Sequence, residues 1–511
     1  MKVPFTIADF LYRAENAYSD RVALVDEPGA PGGDLGELTW SQFAQKARSQ
    51  AAKLDQLGIG PGERVAMVSQ NSGRLMTSFY GVSGYGRVFV PINFRLSHDE
   101  IEYIIDHCGA SMLLVDPSME DICKDIDVDR FVVMGTDSDD QMYLDGVEPI
   151  IWEPDEDATA TINYTSGTTA RPKGVQQTHR ALWVNATTFG WHAGVSDRDN
   201  YLHTLPMFHC NGWGMPYAIT GMGGKHVVLR EVRGEDILKR VEEHNITLMC
   251  GAPAVVSAVL EAAQNWPGEI PGKGRVRMVV AGAPPPTKTI ARMQDELGWE
   301  FIQIYGLTET APLLTMNRTR AEWDHLDPED KARKLSRAGA PAVGVKIKID
   351  DQGEILARSN VVLEGYWEQP KATAEAIVDG WFHTGDGGTL DNEHHLTISD
   401  RKKDVIISGG ENVSSIEVED VLFGHPCIAE AAVIGVPHEK WGETVKALVV
   451  IAEGESASEQ ELIEYCREKM AHYKCPTSIE VRDELARTAT GKLQKFKLRA
   501  PYWDGMSKQI N

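Results

Sequence analysis

From Ser41 to Leu57 apolar residues recur every three or four positions, at Phe43, Ala47, Ala51, Leu54 and Leu57. This is the repeat of a helix with one buried face. The Gly-Ile-Gly-Pro-Gly that follows ends the helix in a turn, and Arg64 to Ser69 (RVAMVS) is a short apolar run of strand length. The same alternation returns at VFVPIN (88–93), SMLLVD (111–116), HVVLR (226–230) and VRMVVAG (276–282). Helical and strand patterns in alternation predict an α/β fold of layered subdomains with largely parallel sheets. No fixed-period repeat is visible. Near Asp400 the character changes, because the glycine-rich, charged stretch TISDRKKDVIISGGENVSS leads into the compact pattern IEVEDVL, AEAAVIGV, VKALVVIA and ELIEYCREKM. The expected organisation is a large N-terminal domain over 1–399 and a small C-terminal α+β domain over 400–511, the latter of ordinary domain size.

Composition narrows the classes. The 511 residues are 42% hydrophobic and 25% charged, enough to bury a sizeable core and too apolar for a disordered chain. The net charge of −24 repels phosphate backbones and anionic membrane surfaces, so nucleic acid is not an expected partner. A small anionic ligand remains open, since local amides and a few placed cations override a global field. Seven cysteines without a CxxC pair predict neither a disulfide framework nor a zinc site and fit a reducing, cytoplasmic setting. No window reaches the ~18 apolar residues of a membrane span. The first residues do not read as a signal peptide, and the final KQIN does not read as a peroxisomal address.

The segment richest in chemistry is Tyr164 to Val175, YTSGTTARPKGV, which reads as a turn before the helical stretch HRALWVNATTFG. Gly167 allows close backbone approach, Thr165, Ser166, Thr168 and Thr169 offer hydroxyls, and Lys173 adds positive charge, a combination suited to polyphosphate. It lacks the Gly-Lys-Ser/Thr of a Walker A loop.

This segment resembles the signature loop of the adenylate-forming superfamily, which includes acyl-CoA synthetases, peptide-synthetase adenylation domains and luciferases. Further strings resemble the family in its expected order: LPMFH (205–209), AGAPPP (281–286), YGLTET (305–310), WFHTGD (381–386), SDRKKDVIISGGENVSS (399–415) and RTATGK (487–492). The resemblance covers nearly the whole chain. It departs from the family at Ala170, where glycine is usual; if that position needs φ > 0, alanine carries roughly 1 kcal/mol or more of strain.

The resemblance implies an acyl-adenylate made from a carboxylic acid and ATP, followed by transfer to coenzyme A, with Mg²⁺ as the metal. Thr165, Ser166, Gly167, Thr168, Thr169 and Lys173 match the family's phosphate site, Thr308 its α-phosphate contact, and Thr165 and Glu309 its Mg²⁺ ligands. Gly282, Ala283, Pro284 and Tyr305 match the adenine slot, Gln303 and Gly306 belong to the same nucleotide site, and Asp386 and Arg401 match the ribose contacts. Lys492 matches the lysine that bridges carboxylate and α-phosphate. A mobile small domain hinged near Asp400 would then bring Gly409 and Gly410 to the thiol tunnel. The catalytic set implied is Lys492, Thr165, Glu309 and His209, the last as a gate or pocket wall rather than a base.

The acyl pocket is expected among CNGWGMPYAIT (210–220), CGAPAVV (250–256) and AGAPPP, with His209, Gly212, Trp213, Met215, Val255, Ala281 and Gly282 as its residues. Peptide-synthetase domains hold an amine with Asp where this chain has His209, which disfavours amino acids because an unpaired ammonium there is costly. The reading is a ligase joining coenzyme A to a short- to medium-chain fatty acid or similar small hydrophobic acid. The alternatives are an aryl acid or a non-catalytic nucleotide-binding protein, and a homodimer is left open as the assembly.

Overall fold

The computed structural model describes residues 1–165, 171–282, 286–401, 404–408, 411–438, 441–487 and 493–504, with the backbone alone for Asp400, Arg401 and Asn412. The amphipathic stretch at 41–57 forms the helix Trp40–Gln56, which buries Trp40, Phe43, Ala47, Ala51 and Leu54. Its start is fixed by reciprocal bonds: Thr39 Oγ1 accepts from Gln42 N–H, and Gln42 Oε1 accepts from Thr39 N–H at 2.8 Å.

Two sheets carry the N-terminal body. Seven strands run in the order Gly365–Tyr366, Lys173–Thr178, Thr159–Thr165, Val88–Ile92, Arg64–Val68, Ala110–Val115, Phe131–Val133. The other sheet has nine, and its central strands Val22–Val25, Lys225–Val228, Asn200–His203, Leu248–Gly251, Arg277–Val280 and Glu300–Gly306 are all parallel. The apolar runs are continuous because both faces of each sheet are covered. Val65 and Met67 join the core between the two sheets, together with Phe43, Phe79, Leu182 and Tyr217 from the helices. Ala66 and Val68 point the other way, onto Ile101, Ile104 and Ile105. Met249, Met278 and Phe301 cover the far side of the nine-stranded sheet with Ile237, Val256 and Ile290. The result is five alternating layers of helix and sheet.

The expectation of largely parallel sheets needs a correction between 346 and 401. There Lys346–Ile349, Glu354–Arg358, Ile377–Val378, Trp381–Leu390 and Leu396–Arg401 form an antiparallel sheet. A hairpin signal was present: Asp379-Gly380 takes φ 51° and 73°, the two-residue turn that suits strand twist, and Val378 pairs with Trp381 across it. The following sheet comprises Ile406–Ser408, Glu411–Val413, Ile428–His438, Gly442–Ile451 and Ser478–Val481. Helices Ser415–Phe423 and Glu459–Lys469 share a buried cluster with it.

Candidate active site

The segment Tyr164 to Val175 is a hairpin rather than a free turn. Strand Thr159–Thr165 pairs antiparallel with Lys173–Thr178, and Thr165 stands opposite Lys173. KGV was read as the end of that turn; Lys173–Thr178 is a strand because Val175 and Gln177 are fully buried while the neighbouring strands supply its ladder. The stem is fixed from outside: the Tyr164 hydroxyl lies 2.8 Å from His107 Nδ1, and Trp367 N–H donates to Gly174 O at 2.7 Å.

On the Lys173 side, three segments converge. Lys173 Nζ lies 4.6 Å from the centre of the Tyr366 ring, and the Tyr366 hydroxyl donates to Glu309 Oε1 at 3.0 Å. Burial, then the Glu309 charge, raises the Tyr366 pKa, so this hydroxyl keeps its proton and donates it to the carboxylate. The turn Thr308–Thr310 that carries Glu309 is held by its own carbonyls: Thr308 O accepts from Gln177 Nε2 at 2.6 Å and Glu309 O accepts from Leu363 N–H at 2.7 Å. A cation, an aromatic face and a carboxylate are thus gathered at the mouth of the hairpin. Tyr366 was missed by sequence reasoning; its position in the two-residue strand Gly365–Tyr366, beside Lys173–Thr178, exists only in the fold.

The second group holds residues expected at the nucleoside. The Tyr305 hydroxyl donates to Asp386 Oδ2 at 2.8 Å, with both residues buried. Asp386 is opposite Arg401 in the antiparallel pair Trp381–Leu390 and Leu396–Arg401, so two residues expected at the ribose share one register position. Gln303 is buried, and its Oε1 has no partner among the described residues. Gly306 admits no side chain, since a Cβ there would sit 1.6 Å from Pro312 O. Gly282 takes φ 98°, where glycine alone is at ease.

The third group is the run after Phe208. His209 is half-buried, with its N–H donating to Pro206 O at 3.1 Å. Cys210, Asn211, Gly212 and Trp213 take φ 47°, 51°, 55° and 59°, a left-handed turn that is buried throughout. Left-handed backbone at three non-glycine residues costs on the order of 1–2 kcal/mol each and persists where surrounding contacts over-determine it. Trp213, Met215 and Ala281 pack in the core between the sheets, whereas Val255 packs against the cluster on the far side of the nine-stranded sheet. Ser166, Gly167, Thr168, Thr169, Ala170, Ala283, Pro284, Gly409, Gly410 and Lys492, and the side chain of Arg401, lie outside the described residues.

Comparison with known proteins gives the chain's family. The family of AMP-binding enzymes matches residues 11–367, and the AMP-binding enzyme C-terminal domain matches 417–492. The chain is 35% identical to the 2-methylpropanoate–CoA ligase CCL4 of Humulus lupulus, over 97% of this chain and 95% of the relative. It is also 35% identical to the 4-hydroxybutyrate–CoA ligase 2 of Metallosphaera sedula, over 96% and 93%. Among solved structures, the anthranilate CoA ligase AuaEII in complex with anthranoyl-AMP superposes with a TM-score of 0.87 at 25% identity, covering 98% of each chain. The chain therefore belongs to the AMP-binding enzymes, the adenylate-forming superfamily, in its AMP-forming acyl-CoA synthetase branch.

Proposed function

We propose that this chain activates a short- to medium-chain fatty acid, or a small hydrophobic acid of similar size, as its acyl-adenylate and passes the acyl group to free coenzyme A. The observation that carries the reading is the joining of Lys173, Tyr366 and Glu309 at the hairpin mouth with Tyr305 and Asp386 beside it. Attack of a carboxylate on the α-phosphate spreads charge over phosphate oxygens, and cations and donors fixed in advance lower that barrier. Glu309 and Thr165 are a hard, oxygen-only donor pair that fits Mg²⁺, which when bound screens the polyphosphate. Thr308 would meet the α-phosphate, and Asp386 with Arg401 the ribose hydroxyls. Lys492 would come from the small domain to bridge the two reactants, and rotation about Asp400 would then bring Gly409 and Gly410 to the thiol path.

The acid is read from the third group. His209 offers no carboxylate to pair an ammonium, and Cys210, Trp213 and Met215 are buried in an apolar core. An aryl acid is the second reading, favoured by the close superposition on the anthranilate ligase. All seven cysteines are free, in keeping with a reducing compartment. Acid-dependent ATP–pyrophosphate exchange over aliphatic and aryl acids, followed by thioester formation with coenzyme A, tests the function. Small aliphatic acids should give the highest kcat/KM; exchange with amino acids alone would overturn the reading.

A further inference from the structure

The left-handed turn after His209 is held by polar side chains that no motif marks. Thr161 Oγ1 donates to Asn163 Oδ1 at 3.3 Å, Asn163 Nδ2 donates to Asn211 Oδ1 at 3.1 Å, and Asn211 Nδ2 donates back to Thr161 Oγ1 at 2.9 Å. The three bonds close a ring whose members are all at most 2% exposed. Its direction is set by a fourth bond: Asn163 Nδ2 also reaches Phe208 O at 3.2 Å, so the nitrogen faces two acceptors and the oxygen must accept from Thr161. Thr161 and Asn163 are two apart on one strand and so share a face, while Ile162 between them packs into the opposite core.

The ends of the segment are held in the same way. Asn71 accepts from Met207 N–H at 2.8 Å and donates to His203 O and Leu205 O, and Asn185 Nδ2 donates to Trp213 O at 3.3 Å. The ring, however, ties the turn to the strand that enters the phosphate loop: Asn163 is two residues before Thr165. On the partner strand, Gln177 holds the turn of Thr308 and Glu309. One hairpin thus registers the wall carrying His209 and Trp213 against the phosphate groups. Reaction between a bound carboxylate and the α-phosphate depends on that register, because misplacement by about 1 Å costs on the order of a hundredfold in rate.

We propose that Thr161, Asn163 and Asn211 are positioning residues for the acid substrate, which they never touch: they hold the left-handed wall at the distance from the phosphate loop that the reaction needs. The proposal rests on the ligase reading above. In ATP–pyrophosphate exchange, Asn163→Ala should raise KM for the acid about tenfold or more and flatten the preference between acids one methylene apart, with KM for ATP nearly unchanged. Because the ring acts as a unit, Asn163→Ala with Asn211→Ala should be little worse than the worse single variant. Thr161→Val removes the hydroxyl at constant shape and should reproduce the effect, while Thr161→Ser should restore wild-type values. Thr161→Val also carries the test if Asn163→Ala does not fold.

The control is Asn317, a buried asparagine whose Nδ2 donates to Lys334 O and Arg337 O, remote from the turn. Asn317→Ala should lower Tm and leave KM for the acid unchanged. If the ring variants lower Tm as Asn317→Ala does and leave acid KM and selectivity alone, the ring is structural and the proposal fails. It also fails if they move KM for ATP instead. A wild-type protein that exchanges pyrophosphate with no acid would overturn the ligase reading itself, and this proposal with it.

Discussion

The proposed phosphate side and the proposed acid side of this site are built on one hairpin by opposite means. The phosphate side is contiguous in the chain: Thr165 and Lys173 face each other across a loop of small and hydroxylated residues, and Tyr366 and Glu309 complete it from two neighbouring segments. The acid side is assembled from a distance, with a strained backbone turn fixed by amides at 71, 163, 185 and 211. Polyphosphate chemistry constrains residue types in sequence, since it needs many donors within one loop. A pocket wall constrains only shape, and any buried donor that reaches the right carbonyl can hold it. The phosphate loop is therefore readable as a motif, and the side chains that hold the pocket wall are not.

The largest expected effect is on stability in acid. Three histidines of the N-terminal body are held neutral by burial: His179 with its pKa pushed down to about 4, His226 to about 3, and His203 well below the usual range. Because the Thr220 hydroxyl donates to Pro216 O, it accepts from His226 Nε2–H, and His226 Nδ1 accepts from His203 Nε2–H at 3.0 Å. A proton added at His226 Nδ1 would face the N–H of His203. Unfolded histidine titrates near 6.5, so below that pH the unfolded chain takes up protons that the folded chain refuses. Their contribution to stability should be level above about pH 7 and fall by about 1.4 kcal/mol per pH unit for each histidine as pH drops from about 6.5 toward 4. Denaturant melts at pH 7.5 and 5.5 should show that loss, and a protein equally stable at both would remove it.

The next effect is catalytic. Lys492→Ala should lower acyl-adenylate formation by about a hundredfold or more, because it removes a cation from the developing charge. Thioester formation from supplied acyl-adenylate should persist, and equal loss in both half-reactions would contradict the division of labour across Asp400. Tyr366→Phe keeps the ring beneath Lys173 and removes only the bond to Glu309. A hydrogen bond to a charged group is worth about 1.5–3 kcal/mol, so kcat/KM for ATP should fall by roughly tenfold to a hundredfold. The smallest effect belongs to the pocket. Trp213→Leu should shift the preference toward longer acids, with each newly buried methylene worth about 0.8 kcal/mol, or about fourfold in kcat/KM. An unchanged chain-length profile would assign Trp213 to the core alone.

Much of this was legible beforehand. The helix at Trp40–Gln56 and the parallel strands announced themselves by periodicity, and Thr165, Lys173, Tyr305, Glu309 and Asp386 by their motifs. The antiparallel sheet of 346–401 was not read, because Lys346–Ile349 is half-exposed and the long strand Trp381–Leu390 (WFHTGDGGTL) carries glycines and polar residues in place of an apolar run; only Asp379-Gly380 flagged it. Tyr366 gave no signal, since a lone tyrosine in GYW gains meaning only when its strand pairs beside Lys173. The asparagines are silent for the same reason: apart from Thr161 beside Asn163, their partners lie far along the chain, and such bonds leave no spacing rule in sequence.

The central claim is that one hairpin serves two separable sides. ATP–pyrophosphate exchange measured over a grid of ATP and acid concentrations tests it most directly when Tyr366→Phe and Trp213→Leu are compared with the wild-type protein. The account predicts that Tyr366→Phe changes the ATP dependence and leaves the ranking of acids intact, while Trp213→Leu changes the ranking and leaves KM for ATP intact. Both variants shifting the same parameter in the same direction would contradict it.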